Sequence, residues 1–222
     1  MRLDCEHERW IELDPSTTAL ACIDFQTDFI VAGGMAASRG LPFERLAAAL
    51  PAAQRVLAAA RAAGLFVFHT REAYNSDLSD LNAFRREHDP IIGAPGPLGR
   101  FLVRGAAGTE IVPSMAPRAG EPVIDKAGFN AFFHTTLDLV LRTRGIRTLL
   151  FIGYTTQCCV SSTLRAAVDH GYACVLLHDC CAAFDPEDHE ASVRVMYAEN
   201  HNFGWVSDAA RVERTLAAVH QG

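Results

Sequence analysis

A mostly parallel β-sheet covered by helices on both faces is the architecture this 222-residue sequence predicts. Strand-like and helix-like segments alternate along the chain. The strand-like runs are short and almost continuously apolar, as in strands buried on both faces. Three of these runs end in a polar residue, namely Asp24, Lys126 and Cys159. In an alternating α/β chain the C-terminal ends of neighbouring parallel strands converge on one crevice, so an acid, a cation and a thiol are expected to meet there.

The elements follow in order. Residues 17–25 (TTALACIDF) form the first expected strand. The Ala-rich, Arg-spaced stretch 51–63 reads as a helix, with Pro51 suited to its first turn and Gly64 to the position past its end. Residues 65–71 (LFVFHTR) are the second strand. Residues 121–126 (EPVIDK) are the third, with Pro122 tolerable near its start. A helix over 136–144 stops at Gly145, and 148–154 (TLLFIGY) is the fourth strand. A helix from about residue 159 to His170 stops at Gly171, and 172–179 (YACVLLHD) is the fifth strand. Asp185-Pro186-Glu187-Asp188 is a helix start, with a cap, a proline at the first position and acids in the first turn. The short run 203–208 is the sixth strand. Ser207 is the expected cap of a last helix ending near His220.

One stretch breaks this rhythm. From Glu72 to Gly120 the chain is rich in Gly, Pro and Arg, and a connection of that length is usually functional or mobile. Leaving the C-terminal end of the second strand, it is placed over the crevice as a substrate-covering insertion. The plainer alternative is a surface excursion packed far from any chemistry.

Composition bounds the function. At 50% hydrophobic residues, the chain suits one domain over residues 1–222. A formal charge of -6 and scattered arginines argue against a nucleic-acid partner, which requires a basic face. Arg142, Arg144 and Arg147 surround a helix end, where the dipole favours cations on a solvated face. No apolar run approaches the roughly 20 residues that span a bilayer. The opening MRLDCEHERW is too charged for a signal peptide. The seven cysteines (5, 22, 158, 159, 174, 180 and 181) are odd in number and several lie in apolar runs. Together these features point to a cytoplasmic protein with reduced thiols and no membrane partner. No zinc-type Cys/His spacing is present.

Cys159 is the sharpest candidate for chemistry. It lies between a strand end and a helix start, where backbone N–H groups stabilise a thiolate and an oxyanion on a substrate carbonyl. On local sequence alone, a buried small hydrophobe is the competing role. Asp24 closes a buried strand and is placed to take the thiol proton; a cap on the following QTDF segment is the alternative. A buried Lys126 requires a carboxylate partner, so Asp24 with Lys126 is also readable as a structural ion pair. His189, in a helical first turn beside acids, reads as a surface residue. Cys180 and Cys181 read as buried packing, and Asp179 as a partner for a nearby N–H.

These motifs resemble the isochorismatase-like cysteine hydrolases. DFQTDF (24–29), DKAGFNAF (125–132) and GYTTQCCV (153–160) follow in the family's order from about Leu20 to Ser207. The resemblance implies a three-layer α/β/α fold with a six-stranded, mostly parallel sheet. It implies Asp24, Lys126 and Cys159 as catalytic residues, with Cys158 at a variable position. It also implies a cis peptide before Thr155 and an oxyanion hole from the backbone N–H groups of Thr155 and Cys159. The nucleophilic Cys159 implies carbon–nitrogen bond cleavage through a thioester, with release of ammonia.

The segment FHTREAYNSDLSD lacks the D-x-H pattern of nicotinamidases, so no metal and no other cofactor is expected. That segment and PGPLGRFLVRGAAGTEIVP are similar to the branch acting on small ureido compounds such as biuret and carbamoyl amides. On that likeness Arg71 and Arg104 are candidates to bind a carboxylate or carbonyl oxygen. Phe29, Tyr74, Phe129, Phe133 and Tyr154 are candidate pocket walls, and Gln157 a pocket-facing neighbour of the nucleophile. The resemblance also implies a homo-oligomer, dimer or tetramer. A nicotinamide-like or N-carbamoyl amino acid substrate, or a catalytically idle binding subunit of the same fold, are the alternatives.

Overall fold

In the computed structural model, which describes residues 1–218, the six expected strands are present and form one sheet. They are β1 (Thr18–Ile23), β2 (Phe66–Glu72), β3 (Val123–Lys126), β4 (Thr148–Tyr154), β5 (Ala173–Ala182) and β6 (Trp205–Ser207). The order across the sheet is β6-β5-β4-β1-β2-β3, and every neighbouring pair is parallel. The central strands β1 and β4 are buried along their whole length, which is why their sequences carry no polar alternation.

The helices are α1 (Phe43–Ala62), α2 (Ala83–His88), α3 (Leu137–Thr143), α4 (Ser161–Asp169), α5 (Pro186–Met196) and α6 (Ala209–Ala217), with several shorter turns between them. Successive residues of a strand face opposite sides, and two cores result. Leu20, Cys22, Val67, Leu150 and Ile152 pack with Leu46, Val56 and Leu57 of α1 and Val212 of α6. Ala19, Ala21, Phe68, Leu149 and Phe151 pack with Leu137 and Leu141 of α3 and Leu164 of α4. The arrangement is the three-layer α/β/α sandwich. Among the described residues no helix is long and apolar enough to cross a membrane.

Several boundaries differ from expectation. Helix α1 starts at Phe43, so Pro51 lies in its interior rather than its first turn. Proline lacks the N–H for one ladder bond and costs about 3 kcal/mol there. Pro51 is on the exposed side, while Leu46, Ala49, Ala53, Val56, Leu57 and Ala60 bury the other. Each fully buried Leu or Val contributes about 1.5–3 kcal/mol, which outweighs the break. The last helix is capped by Asp208, whose side chain accepts the Arg211 N–H. Ser207 instead donates to the Asp4 carbonyl. The expected end near His220 lies outside the described residues. Strand β2, expected over 65–71, runs on to Glu72, so His69 lies in its interior. A two-stranded antiparallel hairpin, Arg2–Asp4 with Trp10–Glu12, was not signalled, because three-residue strands are too short to show a period.

Two glycines are fixed by geometry. Gly64 follows α1 with φ 74°, the left-handed conformation that closes a helix. Gly153 has φ 133°, and a Cβ there would sit 2.0 Å from the Ile23 carbonyl oxygen. Its bare backbone lets the ends of β1 and β4 approach closely.

Candidate active site

Asp24, Lys126 and Cys159 meet at the C-terminal edge of the sheet. Asp24 follows β1 in a left-handed conformation, φ 52°, which is uncommon for a residue other than glycine. Lys126 is the last residue of β3. Cys159 lies in a π-helical turn, Thr156–Val160, that runs directly into α4. Lys126 Nζ donates to Asp24 Oδ2 at 2.7 Å, to the Gly128 carbonyl at 2.8 Å and toward Cys159 Sγ at 3.3 Å. The Thr70 hydroxyl donates to Asp24 Oδ1 at 2.5 Å. The three residues are 0%, 1% and 6% exposed, so bulk water does not screen their charges.

Burial works against the Lys126 cation, but Asp24, Cys159 and Glu72 more than offset it and hold the ammonium firmly protonated. Cys159 is pushed well above the ordinary thiol range, first by burial and then by the Asp24 charge, with Lys126 opposing. Because Asp24 already matches the charge of Lys126, a thiolate would be an additional buried anion. The resting group is therefore a thiol, and not the standing thiolate that a helix start alone suggests. The arrangement can move a proton from sulfur to carboxylate beside a fixed cation. The Tyr154–Thr155 peptide just before this turn is cis.

Over Cys159 lies a cavity of about 180 Å³. Phe29, Phe129 and Tyr154 line it, together with Thr155 and Cys158. The segment after β2 contributes Arg85, Asp89, Ile91, Phe101 and Leu102. Other expected pocket residues fall outside. Arg71 pairs with Asp125 at 2.8 Å and Glu110 at 2.6 Å. Arg104 is bound to Asp80 at 2.8 Å and to Asp125 at 3.2 Å. Both guanidinium groups are thus committed to carboxylates of the chain. Tyr74 is fully buried and donates its hydroxyl to Glu72 at 2.9 Å. Phe133 is 59% exposed and borders a separate hollow with Arg104 and His134. Gln157 lines an outer groove beside Asp188.

Glu72 and Arg85 are among the cavity residues that were not singled out from the sequence. Glu72 ends β2 and accepts from Arg85 Nη2 at 2.7 Å. Burial pushes its carboxyl upward, with Lys126 and Arg85 pulling the other way. Arg85, on α2, also pairs with Asp89 at 3.1 Å, and its guanidinium lies 4.2 Å from the Phe129 ring centroid. Its Nε is buried and, among the described residues, has no hydrogen-bond partner. Asn82, whose side chain accepts the Arg85 N–H as an N-cap, starts α2.

Away from the cavity, His69 Nε2 lies 3.1 Å from Glu121. Glu6, His178 and Asp208 bring possible ligand atoms within 4.8 Å of one another. Arg211 pairs with both carboxylates of that group, and a cation there would have to displace it. Asp179, expected to end its strand, lies inside β5, and its Oδ1 accepts the Ala209 N–H at 2.9 Å.

Residues 18–211 match the model of the isochorismatase domain. The ureidoacrylate amidohydrolase of Acinetobacter baylyi is 32% identical over 214 residues, covering 93% of this chain and 86% of that protein. The ureidoacrylate amidohydrolase of Variovorax paradoxus is 30% identical, covering 93% and 84%. Among solved structures, a cysteine hydrolase from Pseudomonas syringae pv. phaseolicola matches with a TM-score of 0.81 at 26% identity, over 93% of this chain and 95% of the other. An isochorismatase family protein from Desulfovibrio vulgaris matches with a TM-score of 0.76 at 32% identity, over 90% and 98%.

Proposed function

We propose, for a chain that belongs to the isochorismatase family, that it is a cysteine-dependent amidohydrolase cleaving a carbon–nitrogen bond of a small ureido or amide acid. The observation that carries this reading is Lys126 Nζ, held 2.7 Å from Asp24 and 3.3 Å from Cys159, which itself lines the cavity. Asp24 takes the Cys159 proton as the sulfur attacks the substrate carbonyl, so no free thiolate has to persist. The oxyanion is received by the backbone N–H groups of Thr155 and Cys159. Asp24 passes its proton to the leaving nitrogen, the carbon–nitrogen bond breaks, and ammonia departs from a thioester. Water then adds to the thioester, giving one proton to Asp24; the carbon–sulfur bond breaks and the proton returns to sulfur. The sum is amide plus water to acid plus ammonia, with the enzyme regenerated.

The cavity wall supports the substrate class. The Glu72 carboxylate offers an acceptor for the N–H groups of a ureido or amide end. Arg85 offers an unused Nε–H for a carboxylate at the other end, a charge-assisted bond that water does not weaken in this setting. The relatives named ureidoacrylate amidohydrolases agree with that pairing. The test is ammonia release from ureidoacrylate, N-carbamoyl amino acids, maleamate, biuret and nicotinamide, with Cys159→Ala run alongside. Turnover of a ureido or amide acid, abolished in the variant, is expected. Unchanged turnover in Cys159→Ala, or turnover of nicotinamide alone, overturns the reading.

A further inference from the structure

The turn between the cis peptide and the nucleophile is tied from behind by a residue that the reaction does not touch. Thr156 is 1% exposed, and its hydroxyl lies 2.8 Å from His189 Nδ1. Among the described residues this is its one hydrogen bond. His189 is half-buried in the first turn of α5, not on the open surface its acidic neighbours suggest. The neighbouring contact between these elements, Gln157 to Asp188 at 3.5 Å, is too long and exposed to substitute. Burial and the nearby His178 hold His189 below the ordinary histidine range, against an opposing pull from Glu190. A neutral imidazole with its hydrogen on Nε2 presents a lone pair at Nδ1, which the Thr156 hydroxyl can fill as donor.

We infer that His189 is a positioning residue: by accepting the Thr156 hydroxyl hydrogen it fixes the turn that carries Cys159 and the N–H groups assigned to the oxyanion. The inference rests on Cys159 being the nucleophile. Thr156 stands one residue after Thr155 and three before Cys159, so a shift of its side chain moves both. Displacements of about 1 Å in such an arrangement lower rates by about 100-fold.

The test uses 4-nitrophenyl acetate, a small acyl donor that reports on nucleophile and oxyanion site together. The quantity read is nitrophenolate release above that of Cys159→Ala. His189→Leu and Thr156→Val are each expected to lower it by about 10- to 100-fold, and the double variant no further than the slower single. His189→Asn, whose amide oxygen falls near the Nδ1 position, is expected to keep most of the rate. His189→Gln, which mimics Nε2, is expected to behave like His189→Leu, and Thr156→Ser to resemble wild type. Thermal melts confirm that each variant is folded; if His189→Leu is not, the Thr156→Val and Thr156→Ser pair decides. A wild-type rate in His189→Leu or Thr156→Val, equal rates for Asn and Gln at 189, or multiplying losses in the double variant overturn the inference. A wild-type enzyme no faster than Cys159→Ala removes the nucleophile itself, and this inference with it.

Discussion

Replacing Arg85 by leucine separates the two roles its position implies. Arg85 Nη2 and Glu72 Oε1 are 2.7 Å apart, with side chains only 11% and 5% exposed. Breaking such a pair leaves a buried charge and costs about 3–5 kcal/mol. Glu72 keeps the Tyr74 hydroxyl as a donor, so the lower end, about 3 kcal/mol, is expected at pH 7. The sign of the pH dependence follows from Glu72. Its folded-state carboxyl titrates above the usual range because of burial. The folded protein therefore holds a proton that the unfolded chain has released, and stability falls as pH rises from the unfolded value, about 4.3, through the raised one. Loss of Arg85 raises that upper value further and extends the fall. The deficit of Arg85→Leu against wild type should thus be larger at pH 7 and shrink toward pH 4.5. Urea unfolding at both pH values measures it, and Glu72→Gln added to Arg85→Leu should recover part of the loss at pH 7. On the functional side, KM for a carboxylate-bearing substrate should rise about 10- to 100-fold, while a neutral ureido compound is unaffected. A deficit below about 1 kcal/mol at pH 7, or one equal at both pH values, would refute the buried-pair argument.

Other outcomes follow from single positions. Gly153→Ala places a methyl against the Ile23 carbonyl at a positive φ, and is expected to cost about 3 kcal/mol or more in denaturant unfolding. A stability within about 0.5 kcal/mol of wild type would contradict the close approach of β1 and β4. At Glu121 burial acts upward, but Arg61, the Arg118 N–H and His69 outweigh it and hold the carboxyl at about 2. Its contribution is complete above the unfolded value and lost as pH falls toward about 2. Glu121→Gln should therefore cost on the order of 2 kcal/mol at pH 7, allowing for partial exposure, with the difference closing in acid. Acid unfolding curves that stay parallel to wild type would count against this.

Much of the fold was legible because burial on both faces leaves a strong mark. TALACI and TLLFIGY read as strands since nothing polar interrupts them. Asp24 and Lys126 were visible as costly polar residues closing such runs, and Cys159 as a thiol opening a helix. The order of strands across the sheet was not legible, because each run reports its own burial and not its neighbour. Pro51 misled because a buried helical face can override a local break. The cavity wall was the least readable part. The segment after Glu72 has no periodicity to align, so conspicuous arginines drew the assignment. Arg71 and Arg104 turned out to satisfy Asp125, whereas Arg85, one of an adjacent pair, turns inward. His189 was misplaced for a related reason: its neighbours in sequence are exposed acids, while its partner, Thr156, lies 33 residues away.

Lys126 sits on β3, the outermost strand of the sheet, four residues long and paired on one side only, to β2. Edge segments open more readily than central ones. What restrains this one is the residue before the lysine: Asp125 receives Arg71 from β2 and Arg104 from the excursion that follows it. The two arginines, both outside the cavity, therefore act as a clasp on the strand that carries Lys126. Fraying of β3 alone withdraws the ammonium from Asp24 and Cys159 while β1, β4 and both cores remain intact. Activity should vanish at lower urea than the global transition, and return on dilution without refolding of the sheet. Loosening the clasp with Arg104→Ala should widen that gap.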